Sequence, residues 1–247
     1  MKRALILSGG GMFGAWQAGA WSVLRERFQP QVVIGVSVGS LNGWAIAGGC
    51  DPRELEARWL EASSTLRVRL RLPRRAWDGL LEFSEIEPWI RRLHADYQPK
   101  MEYYAILTDL LRMKPRMVEG REVSWRHLAA SCALFGLLPQ QRIDQRIYTD
   151  GGVTGALPLW AADPVHATHV IALSSMPRMP WLIRTALRPF RASKFNRRPA
   201  HTVILSPSHQ LGGWRDAIFF GTRNVREWIE QGKRDAKAFL ATQNISF

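Results

Sequence analysis

Apolar and polar positions in the first fifty residues alternate between two regimes. ALILS (4–8) and QVVIGVS (31–37) are short apolar runs bounded by glycine or polar turns. Runs of this length predict strands buried on both faces, as in a parallel sheet. Between them, GAWQAGAWSVLRERF (14–28) sets Trp16, Ala20, Val23 and Leu24 on one side of a helix. GSLNGWAIAGG (39–49) predicts a second helix, rich in small residues and so closely packed. Asp51 and Pro52 are an N-cap and first-turn residue for a third helix through ELEARWLEAS. Strand, glycine turn, helix, strand, tight turn, helix is the rhythm of a parallel α/β sheet.

Further along, residues 66–72 alternate as Leu-Arg-Val-Arg-Leu-Arg-Leu, which predicts an exposed edge strand or an extended surface segment. Ser84 and Glu87 have the spacing of a capping box for a helix to about His94. YYAILTDL (103–110), RIYTDGG (146–152), THVIALSS (168–175) and HTVILSPS (201–208) read as strands, and RMVEGREV (116–123) as a hairpin or strand end. Ser124 can cap a helix over SWRHLAASCAL, and a last helix is expected over 214–242. No internal repeat is visible. The expectation is one three-layer α/β/α domain over 1–247 with a mostly parallel central sheet.

Composition adds two constraints. A 247-residue chain that is 46% hydrophobic and 22% charged can bury a real core. Its net charge of +13 points to an anionic partner, nucleic acid or anionic lipid, or else to a merely basic solvated surface. No RNA- or DNA-binding motif accompanies the charge, which leaves nucleic acid with charge as its sole support. Two cysteines, Cys50 and Cys132, make no disulfide framework and no zinc spacing, which fits reduced thiols in a cytoplasmic setting. ALIL is too short for a signal-peptide core, and no apolar stretch is long enough to span a bilayer, so any membrane contact is peripheral.

The candidate chemistry lies where strands end. GGGMFG (9–14) follows the first strand. It lacks the Gly-Lys-Ser/Thr ending of a phosphate-binding loop. Gly9, Gly11 and Gly14 match the dinucleotide pattern, but the second strand ends Ile34-Gly35-Val36-Ser37 without the acid that pattern needs. Residues 35–39, Gly-Val-Ser-Val-Gly, instead form G-x-S-x-G between a strand and a small-residue helix, the context of a nucleophile elbow. A serine that attacks an ester generates an oxyanion, and a glycine loop beside it can offer backbone N–H groups at close range. Asp150-Gly151-Gly152 closes a later strand.

These three blocks, in this order, resemble the patatin-like phospholipase family, and AAS (129–131) and DGGVTGALPL (150–159) are similar to its flanking sequences. The resemblance covers residues 3 to about 175. It implies a Ser–Asp dyad without histidine: Ser37 as nucleophile, Asp150 as base, and an oxyanion hole among Gly9, Gly10, Gly11, Gly14 and Val38. It implies a lipid acyl-ester substrate, of phospholipase A or lysophospholipase type, and no cofactor or metal. Two positions depart from the family pattern. Phe13 stands where the family usually has Arg or Lys, and Leu134-Phe135 stands where a proline often follows the AS block.

Other readings stay open. A triad would need a histidine after Asp150, and His201 and His209 are late enough. An esterase or thioesterase for soluble or protein-bound acyl groups fits the same motifs, as does a binding protein on an idle hydrolase fold. Cys132 reads as a buried, inert thiol. Segment 177–199 holds seven Arg or Lys and no acid, interleaved with aromatic and aliphatic residues. It is either an interfacial membrane element, with Trp181, Arg184, Arg188, Phe190, Arg191 and Lys194 in contact, or a solvated crossover. The arginines of 67–75 could extend the same patch.

Overall fold

The computed structural model describes residues 1–73, 75, 78–176, 185 and 201–242. The central sheet has five parallel strands in the order β10-β9-β1-β2-β5: β1 (Arg3–Leu7), β2 (Val32–Val36), β5 (Glu102–Asp109), β9 (His169–Leu173) and β10 (His201–Leu205). Antiparallel strands β6 (Lys114–Glu119), β7 (Gln141–Ile143) and β8 (Arg146–Asp150) complete it. The helices are α1 (Gly14–Leu24), α2 (Val38–Ala47), α3 (Pro52–Thr65), α4 (Ile86–Asp96), α5 (Trp125–Ser131), α6 (Gly152–Gly155) and α7 (Thr222–Thr242).

Alternating side chains of the strands face two separate cores. Leu5 and Leu7 join the larger one, under α1, α2 and α7. Ala4 and Ile6 join the smaller one, covered by Ala161, Ala162, Val165 and Ala167. The sheet therefore has structure on both faces, as the apolar runs imply. The Trp16 indole N–H donates to the buried Asp235 carboxylate at 2.7 Å and ties α1 to α7.

The pairing of β5 positions the site. β6 takes one edge of β5 along Tyr104–Asp109. A strand has only two edges, so β2 and β8 share the other. Val36 at the end of β2 pairs with Ile106, and Asp150 at the end of β8 pairs with Leu107. Two strands thus meet end to end along one edge, bringing residues far apart in sequence together.

Several boundaries differ from the sequence expectations. Residues 66–72 do form a strand, β3 (Arg67–Leu70), but it pairs with β4 (Leu81–Ser84) in a separate two-stranded antiparallel sheet. Helix α4 starts at Ile86, after Glu85 at φ 66° with no side-chain cap, so the expected Ser84–Glu87 capping box does not set its start. The last helix begins at Thr222 rather than 214; the preceding residues form turns. β7 was not anticipated: it joins β8 through Asp144 and Gln145, both at positive φ, the two-residue turn that suits a twisted hairpin. The caps at Asp51 and Ser124 are present. The basic segment 177–199, with its membrane-contact candidates, lies outside the described residues, Thr185 excepted.

Candidate active site

Ser37 occupies the single residue between β2 and α2 and adopts φ 54°, ψ −131°, a conformation that costs an L-residue about 1–3 kcal/mol. Its surroundings enforce it. The Ser37 N–H donates to Ser131 Oγ at 2.9 Å, and Ser131 Oγ–H donates to the Ile106 carbonyl at 2.9 Å. The Ser40 N–H and hydroxyl both donate to the Ser37 carbonyl, at 2.8 and 2.6 Å. A β-carbon on Gly35 would strike the Gly39 carbonyl, and one on Gly39 the Leu7 carbonyl. The motif glycines are thus steric requirements of the sharp turn. Ser37 is 7% exposed.

Asp150 is 1% exposed. Its Oδ1 accepts from the Gly152 N–H at 2.7 Å, and its backbone N–H donates to the Ala133 carbonyl. Its Oδ2 is buried without a hydrogen-bond partner among the described residues. Burial pushes the carboxyl up to about 6, against the lowering effects of the Ser37 hydroxyl and the Gly152 N–H. The hydroxyl is near enough to favour the ionised form without closing a hydrogen bond onto Oδ2.

The glycine loop divides the five donor candidates. The Gly9 N–H donates to the Ala156 carbonyl at 2.9 Å and the Gly14 N–H to Gly11 O, so neither is free to bind an oxyanion. Gly14 has a packing role instead: a β-carbon there would press on Val38 and Trp59. Among the described residues, the Gly10 and Gly11 N–H groups make no hydrogen bond. Val38 opens α2, where a helix leaves its first N–H groups unpaired and its dipole positive. Gly11 sits at φ 57°, and a β-carbon there would strike the Ala217 carbonyl.

A chain of buried amides props this loop. Gln17 Nε2 donates to the Ser8 carbonyl and to Ser175 Oγ; Asn42 Nδ2 donates to Gly14 O and Gln17 Oε1; Trp59 Nε1 donates to Asn42 Oδ1. Sequence reasoning missed all three residues, and Ser131 as well, although AAS (129–131) was noticed. Single polar residues inside apolar helices are the one signal they leave.

Phe13, at the departure from the family pattern, is 1% exposed and packs edge-on against Trp228 with ring centroids 4.9 Å apart. That position faces the core under α7. The late histidines are elsewhere. His201 opens β10, at the sheet end opposite Ser37, and stacks on His169. His209 is exposed, with its ring at 3.0 Å from Ser208 Oγ, beyond a strand three places from β2.

Ser37 opens into an apolar cavity of about 70 Å³ walled by Val38, Leu41, Trp59, Leu66, Trp89 and Leu138 among others. Cys132 also lines it. It is half-buried rather than fully buried, and burial, reinforced by Asp150, raises its thiol well above the usual range, so it stays protonated beside Ser37.

A mostly parallel sheet flanked by helices thus carries a strained serine between strand and helix with a buried carboxylate beside it. The chain belongs to the patatin-like phospholipase family, whose pattern it matches over residues 5–163. It is 32% identical over 177 residues to uncharacterised NTE family proteins of Mycobacterium bovis and Mycobacterium tuberculosis, a match covering 69% of this chain and 48% of theirs. The chain thus spans about half the length of these curated relatives. The fold is similar to that of VipD from Legionella pneumophila, with a TM-score of 0.55 at 11% identity over 98% of this chain and 67% of that one. Among the described residues no helix is long and apolar enough to cross a membrane.

Proposed function

We propose that this chain is a serine acyl-ester hydrolase that releases fatty acids from phospholipid or lysophospholipid at a membrane surface. The observation that carries the reading is the unpartnered Asp150 Oδ2, buried beside a serine held in strained geometry at the mouth of an apolar cavity. Ser37 Oγ attacks the ester carbonyl while Asp150 Oδ2 takes its proton. The Gly10, Gly11 and Val38 N–H groups receive the developing oxyanion, and the apolar walls receive the acyl chain. Collapse of the tetrahedral species breaks the ester bond, and Asp150 returns the proton to the departing alcohol oxygen. Water, deprotonated by the same carboxylate, then attacks the acyl-serine, and collapse regenerates Ser37 and frees the acid. A carboxylate near 6 is a weak base for an alcohol, so the preorganised donors supply much of the barrier reduction. We read residues 1–247 as one domain carrying this activity.

One observation favours a second reading. With Phe13 buried in the core, the loop lacks the family's usual cation, so an esterase or thioesterase acting on soluble or protein-bound acyl groups fits the same centre. Hydrolysis of phospholipid vesicles, followed by mass spectrometry of released fatty acid, should exceed that of a short soluble ester, and Ser37→Ala should abolish both. Turnover of the soluble ester alone would favour the second reading; turnover unchanged in Ser37→Ala would remove both.

A further inference from the structure

Three segments contribute both to the wall of the cavity and to the exposed apolar surface. The β3–β4 hairpin contributes Leu66 and Leu81 to the wall and exposes Leu70, Leu72 and Leu80. The 134–138 loop contributes Leu134, Leu137 and Leu138 and exposes Phe135. The 214–219 turn contributes Ala217 and Ile218 and exposes Trp214 and Phe219. Of the eight large apolar side chains exposed among the described residues, these segments carry six; Met1 and Leu111 lie elsewhere. Leu70 and Leu72 are 86% and 90% exposed and Phe135 61%, values that cost a solvated protein free energy without return. The hairpin and the 134–138 loop are tied together: the Leu80 N–H donates to Gly136 O and the Leu81 N–H to Leu137 O.

Charge identifies what covers this rim. Residues 66–84 hold five arginines against two acids, Asp78 and Glu82, the latter opposite Arg69 in the hairpin. Asp78 is engaged by the Arg75 N–H and lies 3.7 Å from the Arg71 guanidinium. Arg67 and Arg69 are exposed on β3, and Arg215 is exposed with its guanidinium 5.8 Å from the Trp214 ring centroid. Leucine and aromatic side chains interleaved with arginine suit a surface with acyl chains below and phosphates above.

We infer that this rim is the docking surface for an anionic lipid bilayer, which seats the cavity mouth on the membrane. The inference rests on the hydrolase reading for its purpose, but docking itself needs no chemistry. It involves different residues from the basic stretch 177–199. Because the arginines approach phosphates and the leucines enter the acyl boundary, binding should respond to both salt and apolar substitution.

The test is co-sedimentation of the full chain with vesicles of phosphatidylcholine, with and without phosphatidylglycerol. Wild type and Ser37→Ala should bind the anionic vesicles equally, which separates docking from catalysis. The double variant Leu70→Ser/Leu72→Ser should lose binding by about tenfold or more while keeping the wild-type melting transition. Arg67→Glu/Arg69→Glu should lose a similar factor, and raised salt should weaken wild-type binding. Three results would overturn the inference: no vesicle binding by wild type; binding undiminished in both double variants; or a dimer, seen by sedimentation without lipid, that Leu70→Ser/Leu72→Ser dissociates. Fluorophosphonate labelling of the same samples reports separately on the hydrolase reading.

Discussion

At the elbow, every neighbour of Ser37 constrains it: Ser131 holds its N–H, Ser40 its carbonyl, and Gly35 and Gly39 leave no room for any other turn. At the rim, Leu70, Leu72 and Phe135 stand in solvent. On the proposed hydrolase reading, the first region is held fixed because a reaction needs atoms in fixed places. The second leaves apolar area uncovered, which a folded chain tolerates where something else is to cover it. Under the proposed function and docking surface, the difference separates two demands on one site, reacting a substrate and receiving it, and assigns them to different segments.

The largest effect expected on that division comes from Asp150. Asp150→Asn should lower ester turnover by about 10³-fold or more, since a base and its nucleophile act as a unit. It should also change how stability depends on pH. The native carboxyl keeps its proton up to about 6, whereas the unfolded chain releases it near the usual aspartate value of about 4. The native state therefore binds more protons in that window, and stability falls as pH rises through it, by on the order of 3 kcal/mol. Wild-type activity should rise across the same window as the base ionises. Denaturant titrations at several pH values should show the decline in wild type and its absence in Asp150→Asn; identical curves would mean that the carboxyl is not held in the apolar surroundings described.

Phe13→Arg restores the family's usual residue type at a buried position. It should destabilise by about 3 kcal/mol or more, because the cation would enter the core beside Trp228. Wild-type stability in a melt would place that side chain in solvent beside the loop. Ser131→Ala is expected to be milder. It leaves the Ser37 N–H and the Ile106 carbonyl unpartnered, for a loss of about 1–3 kcal/mol and a slower turnover with little change in KM. A change confined to KM would show that Ser131 bears on substrate rather than on the elbow.

The sequence made the elbow legible because steric crowding leaves no alternative to glycine, and glycine at fixed spacing is a pattern. Asp150 was legible for the same reason, through the glycines after it. The parallel strands showed as unbroken apolar runs. Much else was not readable. That the Gly9 N–H is taken by the Ala156 carbonyl depends on a contact across 147 residues, which spacing cannot disclose. Ser131, Gln17 and Asn42 act through hydrogen bonds that only the assembled sheet creates. β7 is three residues long, too short for periodicity to register. The alternating stretch at 66–72 reads as exposed, and Arg67, Arg69, Leu70 and Leu72 are, but Leu66 is buried in the cavity wall and the partner strand comes from tertiary pairing.

The most direct test of the central claim, that Ser37 is activated by Asp150 without a histidine, is intact-mass measurement after exposure to a fluorophosphonate. The account predicts one adduct on wild type and on His201→Ala, and none on Ser37→Ala or Asp150→Asn. A folded wild type that takes up no adduct, or an Asp150→Asn variant that labels as fast as wild type, would contradict it.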